Sequence, residues 1–155
     1  MKITFIRHGE AKHVDFCTME EDKKRPLTPR GREVARTRFQ KLRQVLGSEK
    51  KEIWTSPLVR ARETAEILSQ TIHIPITLEH YLTVANSEDF HKELALRKGQ
   101  DLHLFVVSHE PYISDFIKEF TGEIILVHTA DIITLEFDDW EDGRGKILLD
   151  QCFNQ

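Results

Sequence analysis

The chain has 155 residues, with 22 Lys+Arg against 26 Asp+Glu and a formal charge of −4. That length holds one sizeable core and leaves little room for a second, so a single domain over residues 1–155 is expected. With 39% hydrophobic and 31% charged residues, the composition excludes a disordered tail and a membrane protein, and the mildly acidic balance argues against general nucleic-acid binding.

Lys2 to Arg7 reads as a first strand running into His8-Gly9-Glu10, and a polar, irregular stretch is expected from Ala11 to Pro26. The apolar part of the first strand, Ile3 to Ile6, is too short for a signal-peptide core, which makes the cytoplasm the expected compartment. Thr28-Pro29 starts a helix, with a hydroxyl at the N-cap and proline at the first helical position. Ala35, Phe39, Leu42 and Leu46 then form one apolar stripe, and Gly47 is placed to close the helix. Glu52 to Thr55 reads as a second strand, and Ser56-Pro57 repeats the cap-then-proline start before a helix with Leu58, Ala61, Ala65 and Leu68 on one face. A short extended piece at Ile76 to Leu78 precedes a helix from about Ser87, whose Glu88 and Asp89 favour the positive end of its dipole. The apolar run within Leu102 to Ser108 marks a central strand covered on both faces. Glu110-Pro111 opens a helix with Ile113, Phe116, Ile117 and Phe120 inward, ended by Thr121-Gly122. Asp131 to Phe137 and Lys146 to Leu149 read as two strands joined by an acidic turn at Asp142-Gly143. Strands and helices alternate from end to end, the pattern of an α/β protein. Cys17 and Cys152 lie far apart and fit no metal-ligand spacing, so neither a disulfide framework nor a structural zinc site is suggested.

Several histidines and arginines fall at the ends of these strands, where open α/β sheets bind ligands. The first strand delivers Arg7-His8, the strand from Leu102 delivers His109 directly before a helix, and the strand from Glu52 feeds a helix carrying Arg60 and Arg62. Two histidines and at least two arginines in one crevice suit a dianionic oxyanion such as phosphate. Arginine supplies fixed bidentate donors, and imidazole supplies a nucleophile or a proton. Arg60 and Arg62 cannot both point into the crevice, since two helical positions are about 200° apart. Arg25, in the irregular segment, either reaches the substrate or lies at the surface.

Arg7-His8-Gly9-Glu10 after a strand, Leu27-Thr28-Pro29-Arg30-Gly31 at a helix start, the run Ser56-Pro57-Leu58-Val59-Arg60-Ala61-Arg62-Glu63-Thr64-Ala65, and Val106-Val107-Ser108-His109-Glu110-Pro111 together carry a family signal. In this order they resemble the histidine phosphatase (phosphoglycerate mutase-like) superfamily, and the short chain resembles its compact SixA-type phosphohistidine phosphatase branch. The resemblance covers Met1 to about Phe137. It implies three layers, with a mostly parallel central sheet flanked by helices on both faces. It also implies that His8 is the nucleophile that becomes phosphorylated, that Arg7 and Arg60 bind phosphate, and that His109 stands beside the transferred group. No metal or other cofactor is called for in these roles. His8 must be neutral to attack phosphorus, and the flanking arginines are expected to depress its pKa. Gly9 either leaves room for the incoming group or is a simple turn glycine.

Larger members of the superfamily place a glutamate as general acid after the third strand. In Leu78-Glu79-His80-Tyr81-Leu82-Thr83 that position falls on Tyr81, so either Glu79 takes the role or no dedicated carboxylic acid exists. The second option suits a phosphohistidine substrate, whose leaving imidazole can be protonated before the P–N bond breaks. The leading expectation is therefore a monomeric phosphatase acting on phosphohistidine in a partner protein such as a phosphotransfer domain, with no membrane or nucleic-acid partner. A broad phosphatase for small phosphate esters and a non-catalytic phosphate-binding regulatory module are the alternatives.

Overall fold

A computed structural model describes residues 1–84, 87–138 and 144–149. The acidic turn expected at Asp142-Gly143, and Cys152, lie outside the described residues. The elements follow in the order β1 (Lys2–Arg7), α1 (Met19–Lys23), α2 (Pro29–Arg43), β2 (Lys50–Thr55), α3 (Val59–Ile72), β3 (Ile76–Leu78), a 3₁₀ turn at His80–Thr83, α4 (Ser87–Ala95), β4 (Leu102–Ser108), α5 (Tyr112–Thr121), β5 (Ile132–Glu136) and β6 (Lys146–Leu149).

The six strands form one sheet in the order β3-β2-β4-β1-β5-β6. β3, β2, β4 and β1 run parallel, while β5 and β6 are antiparallel additions on the β1 side. Alternation along each strand divides the apolar residues between two cores. Ile3, Phe5, Trp54, Leu104 and Val106 face α4 and α5, where Phe90, Leu94, Ile113, Phe116, Ile117 and Phe120 pack. Ile6, Ile53, Phe105 and Val107 face α2 and α3, and meet Ala35, Phe39, Leu42, Ala61, Ala65 and Leu68. This is the three-layer α/β arrangement expected from the sequence. Among the described residues, no helix is long and apolar enough to cross a membrane.

Three local expectations are corrected. The stretch from Ala11 to Pro26 contains α1, whose N-cap Thr18 accepts a hydrogen bond from the Glu21 amide. α2 starts at Pro29 behind the Thr28 cap as expected, but it ends at Arg43 with Gln44 as a right-handed C-cap. Leu46 therefore packs on the core from beyond the helix, and Gly47 does not close it. α3 begins at Val59, not at Pro57, and its N-cap Leu58 makes no side-chain cap bond. Ser56 does accept the Leu58 amide at 3.3 Å, but its hydroxyl is mainly committed elsewhere. At the other end of the fold Gly122 has φ +78° and ends α5 as expected, in a conformation that glycine adopts without strain.

Candidate active site

β1 and β4 are parallel neighbours with Arg7 opposite Ser108, so the next residues, His8 and His109, leave the sheet side by side. The helices that follow these strands pack on opposite faces, α2 in one layer and α5 in the other. A crevice opens where the two connections diverge. The His8 amide donates to the Ser108 carbonyl at 3.2 Å, and the two imidazoles stand with centroids 5.1 Å apart. Both are deeply buried, at 8% exposure for His8 and 5% for His109.

His8 Nδ1 lies 2.8 Å from the Gly9 carbonyl oxygen. A carbonyl can only accept, so Nδ1 carries the hydrogen and the lone pair of the neutral ring is on Nε2. Burial pushes the His8 pKa down to about 4; the Gly9 bond opposes this, and the charges of Arg60, Arg7 and Arg25 lower it further. The expected depression is present, but desolvation is its largest cause and the arginines come second. His109 is pushed down to about 3, first by burial and then by His8 and Arg60. Its Nε2 lies 2.7 Å from Ser56 Oγ, and its Nδ1 is buried without a protein partner.

The arginines are oriented by backbone. Arg7 Nη1 donates to the Val127 carbonyl at 2.9 Å, and Arg60 Nη1 to the Asp22 carbonyl at 2.9 Å. In both guanidinium groups Nε is buried and unbonded, so each retains a donor for an oxyanion. Arg62 turns away from the cluster and pairs with Glu66 at 3.5 Å. Arg25 belongs with the cluster: its Nε donates to Asp22 Oδ1 at 2.9 Å, its Nη1 to the Lys12 carbonyl at 2.9 Å, and its charge is felt at His8. Burial works to raise the Asp22 pKa, but the Arg25 hydrogen bond and the charges of Arg60 and Arg25 outweigh it and hold the carboxyl below its ordinary value.

Two sequence expectations are revised here. A Cβ on Gly9 would stand 3.2 Å from the Gly31 carbonyl oxygen and 3.2 Å from Leu27 Cδ2, so this glycine lets the loop pack on the start of α2; it does not clear a path for substrate. Glu79 is not part of the cluster. It follows β3 at the sheet edge, three strand spacings or about 14 Å from β1. Burial, and after it the charge of Glu93, raises its pKa against the opposing effects of Arg97, His80 and Tyr81.

Ser56, Thr64 and Asp22 were missed by the sequence reasoning. Thr64 Oγ1 accepts the Gly9 amide at 3.0 Å and donates to the Arg60 carbonyl at 2.7 Å, tying the loop after β1 to the helix that bears Arg60. Thr64 lies four positions after Arg60, on the same helix face, and that spacing was a usable signal. Asp22 could have been suspected from Thr18-Met19-Glu20-Glu21, a hydroxyl three residues before an acid, which marks a helix start.

The crevice opens into a cleft of about 650 Å³ lined by α1, Leu58, Arg60, Thr83, Val84, His109, Glu110 and Tyr112. The connection after β3 thus reaches the cleft through Thr83 and Val84 and not through Glu79 or Tyr81. Glu110 is committed to α5, where one carboxylate oxygen accepts the Ser114 amide at 2.9 Å and the other accepts the Ser114 hydroxyl. Among the described residues, no group of three or more His, Cys, Asp or Glu side chains is arranged to hold a metal ion.

A profile described as histidine phosphatase superfamily (branch 1) matches residues 3–91. An uncharacterized protein of Picosynechococcus sp. is 46% identical over 69 residues, which cover 44% of this chain and 40% of the relative, so the match spans two fifths of that relative's length. The structure of the protein histidine phosphatase SixA complexed with tungstate superposes with TM-score 0.80 over 100% of both chains at 24% identity. A phosphoserine phosphatase of Entamoeba histolytica in complex with phosphoserine superposes with TM-score 0.68 at 15% identity, covering 98% of this chain and 97% of that one. At these identities the two superpositions concern the fold.

Proposed function

Because the chain belongs to the histidine phosphatase superfamily, we propose that it is a metal-independent phosphatase that works through a phosphorylated His8 and removes phosphate from phosphohistidine on a partner protein. The supporting observation is the fixed tautomer of His8: Nδ1–H is held by the Gly9 carbonyl, and the ring remains neutral well below neutral pH, so Nε2 presents its lone pair. In the first step Nε2 attacks phosphorus, the bond from phosphorus to the substrate nitrogen breaks, and the leaving imidazole departs neutral because its other nitrogen is already protonated. In the second step water attacks phosphorus, the bond to His8 Nε2 breaks, and inorganic phosphate leaves. Arg7 and Arg60 donate to the equatorial oxygens through both transfers, which is most of what phosphoryl transfer asks of a protein. A Ser56 hydroxyl donating to His109 Nε2 leaves the hydrogen on Nδ1, and that N–H joins the arginines as a neutral donor.

The carboxylates at the cleft support this substrate class. Asp22 is held ionised by two arginines, and Glu110 is engaged with Ser114. Neither is free to protonate an alkoxide, a step that a phosphate ester needs and that phosphohistidine largely avoids. The test is incubation with a phosphohistidine peptide and with a chromogenic phosphate ester, EDTA present throughout. Turnover of the peptide well above the ester is expected. Equal turnover of both would make the protein a broad phosphatase, and turnover of neither would make it a phosphate-binding module.

A further inference from the structure

Among the described residues, the only protein acceptor of the Arg7 guanidinium is the Val127 carbonyl, 2.9 Å from Nη1. Arg60, by contrast, is held by both the carbonyl and the carboxylate of Asp22. The orientation of Arg7 therefore depends on one peptide group, and that group is fixed from its other side. Its N–H belongs to His128 and donates to Asp131 Oδ2 at 2.7 Å. A trans peptide is planar, with C=O and N–H pointing in opposite directions, so a carboxylate that holds the N–H also sets where the carbonyl points. Burial of the Val127 side chain in the core fixes where the chain runs, but a peptide plane can turn over without moving the side chains that flank it.

On the reading above that Arg7 binds the phosphoryl group, we propose that Asp131 is a positioning residue for Arg7 and acts through the peptide between Val127 and His128. Asp131 is buried and stands outside the cleft lining. It is tied to the strand end whose arginine it orients. Its carbonyl accepts the Arg7 amide at 3.2 Å, and the Ala130 amide donates to the Arg7 carbonyl at 3.0 Å and to the His8 carbonyl at 3.1 Å. The turn from His128 to Asp131 is closed by the Asp131 amide, which donates to the His128 carbonyl at 3.1 Å. Within it Ala130 has φ +61°, a region that a residue with a side chain keeps only where its surroundings impose it. Arg38 on α2 steadies the other carboxylate oxygen: its Nη1 lies 3.5 Å from Asp131 Oδ1 and donates to the Thr129 carbonyl at 3.2 Å. The exposed His128 ring adds a contact of 3.4 Å from Nδ1 to Asp131 Oδ2. The contacts thus close a ring from the Arg7 backbone through Asp131 and one peptide to the Arg7 guanidinium. Hydrogen bonds at both ends of that amide polarise it, which strengthens the carbonyl as an acceptor for the arginine.

The experiment measures kcat for phosphoramidate and the dissociation constant for inorganic phosphate in Asp131→Ala, Asp131→Asn, Asp131→Glu, Arg7→Ala and the double variant Arg7→Ala/Asp131→Ala, with urea denaturation to check that each is folded. Asp131→Ala is expected to lose about tenfold in kcat, part of the roughly 10²–10³-fold that removing the donor itself costs, and to bind phosphate more weakly. Asp131→Asn keeps an oxygen placed to accept the His128 amide and gives up only the charge, so its kcat is expected within about threefold of the wild type. Asp131→Glu keeps the charge but displaces the oxygens by one methylene, and it is expected to fall below Asp131→Asn. In the Arg7→Ala background, Asp131→Ala is expected to cost nothing further in kcat, because the group it positions is gone. A merely structural role would multiply the two losses, and that result would overturn the proposal, as would a wild-type kcat in Asp131→Ala. If Asp131→Ala does not fold, the order of the other two substitutions carries the test: Asp131→Glu above Asp131→Asn would overturn it. A wild-type kcat and phosphate affinity in Arg7→Ala alone would overturn the reading of Arg7 itself, a failure distinct from that of the contact through the peptide.

Discussion

Arg60 and Arg62 are two positions apart on α3 and lie in different environments. Arg60 is 8% exposed, with Nη1 on the Asp22 carbonyl, Nη2 3.4 Å from Asp22 Oδ2 and Nε buried without a partner, while Arg62 pairs with Glu66 near the surface. Removing a preorganised donor to a transition-state oxyanion lowers turnover by about 10²–10³-fold, so Arg60→Ala is expected to lose that much in kcat. Arg62→Ala is expected to stay within about twofold, since an exposed i,i+4 ion pair contributes little. Steady-state kinetics of the two variants on phosphoramidate checks both, and comparable losses would contradict the assignment. Helix periodicity showed before the structure that only one of the two could face the crevice, and the family resemblance chose Arg60. Ser56 was not legible, because its part depends on a hydrogen bond between segments 53 positions apart, to His109, whereas Thr64 and Asp22 left local signals that were overlooked. Glu79 was left open as an acid for a related reason: extended spacing gave its side of the chain, but the position of β3 at the sheet edge decides its distance from β1.

The elements that bring the site together are joined by close backbone approaches. The loop after β1 and the start of α2 are linked through Thr28, whose amide donates to the Glu10 carbonyl at 2.9 Å and whose hydroxyl donates to Glu10 Oε1 at 2.9 Å. Gly31 makes this approach possible, since a Cβ there would drive into the Glu10 carbonyl oxygen. Gly31→Ala is therefore expected to destabilise the fold by about 1–3 kcal/mol, the cost of overpacking against backbone, despite the higher helix propensity of alanine. Urea denaturation measures this directly; a variant as stable as the wild type would show that the two segments can separate without cost. The start of α2 was readable from Thr28-Pro29, whereas its end was not. The apolar stripe continues to Leu46 in sequence, but the chain leaves the helix at Gln44 and keeps Leu46 on the core by another path. Periodicity reports which residues are buried, and several backbone paths can bury the same residues.

Across the whole molecule, the alternation of strands and helices indicated an α/β protein and the apolar run in Leu102 to Ser108 a strand covered on both faces, while the full three-layer arrangement was what the family resemblance implied. The strand order was not accessible in the same way. It places β1 beside β4, which begins 95 positions after β1 ends, and this pairing turns two separate strand ends into one site. The central claim is that this pairing positions a neutral His8 for attack on phosphorus. The most direct measurement is to react the protein with radiolabelled phosphohistidine peptide at pH 5.5, quench in alkali, and locate the label. An imidazole with an ordinary pKa near 6.5 would be mostly protonated at that pH, whereas His8, lowered to about 4 chiefly by burial, stays neutral and loses reactivity only as pH falls through its folded-state pKa. The expected result is an acid-labile, alkali-stable label on His8 that is absent from His8→Ala; an acid-stable label, or the same label in that variant, would contradict the account.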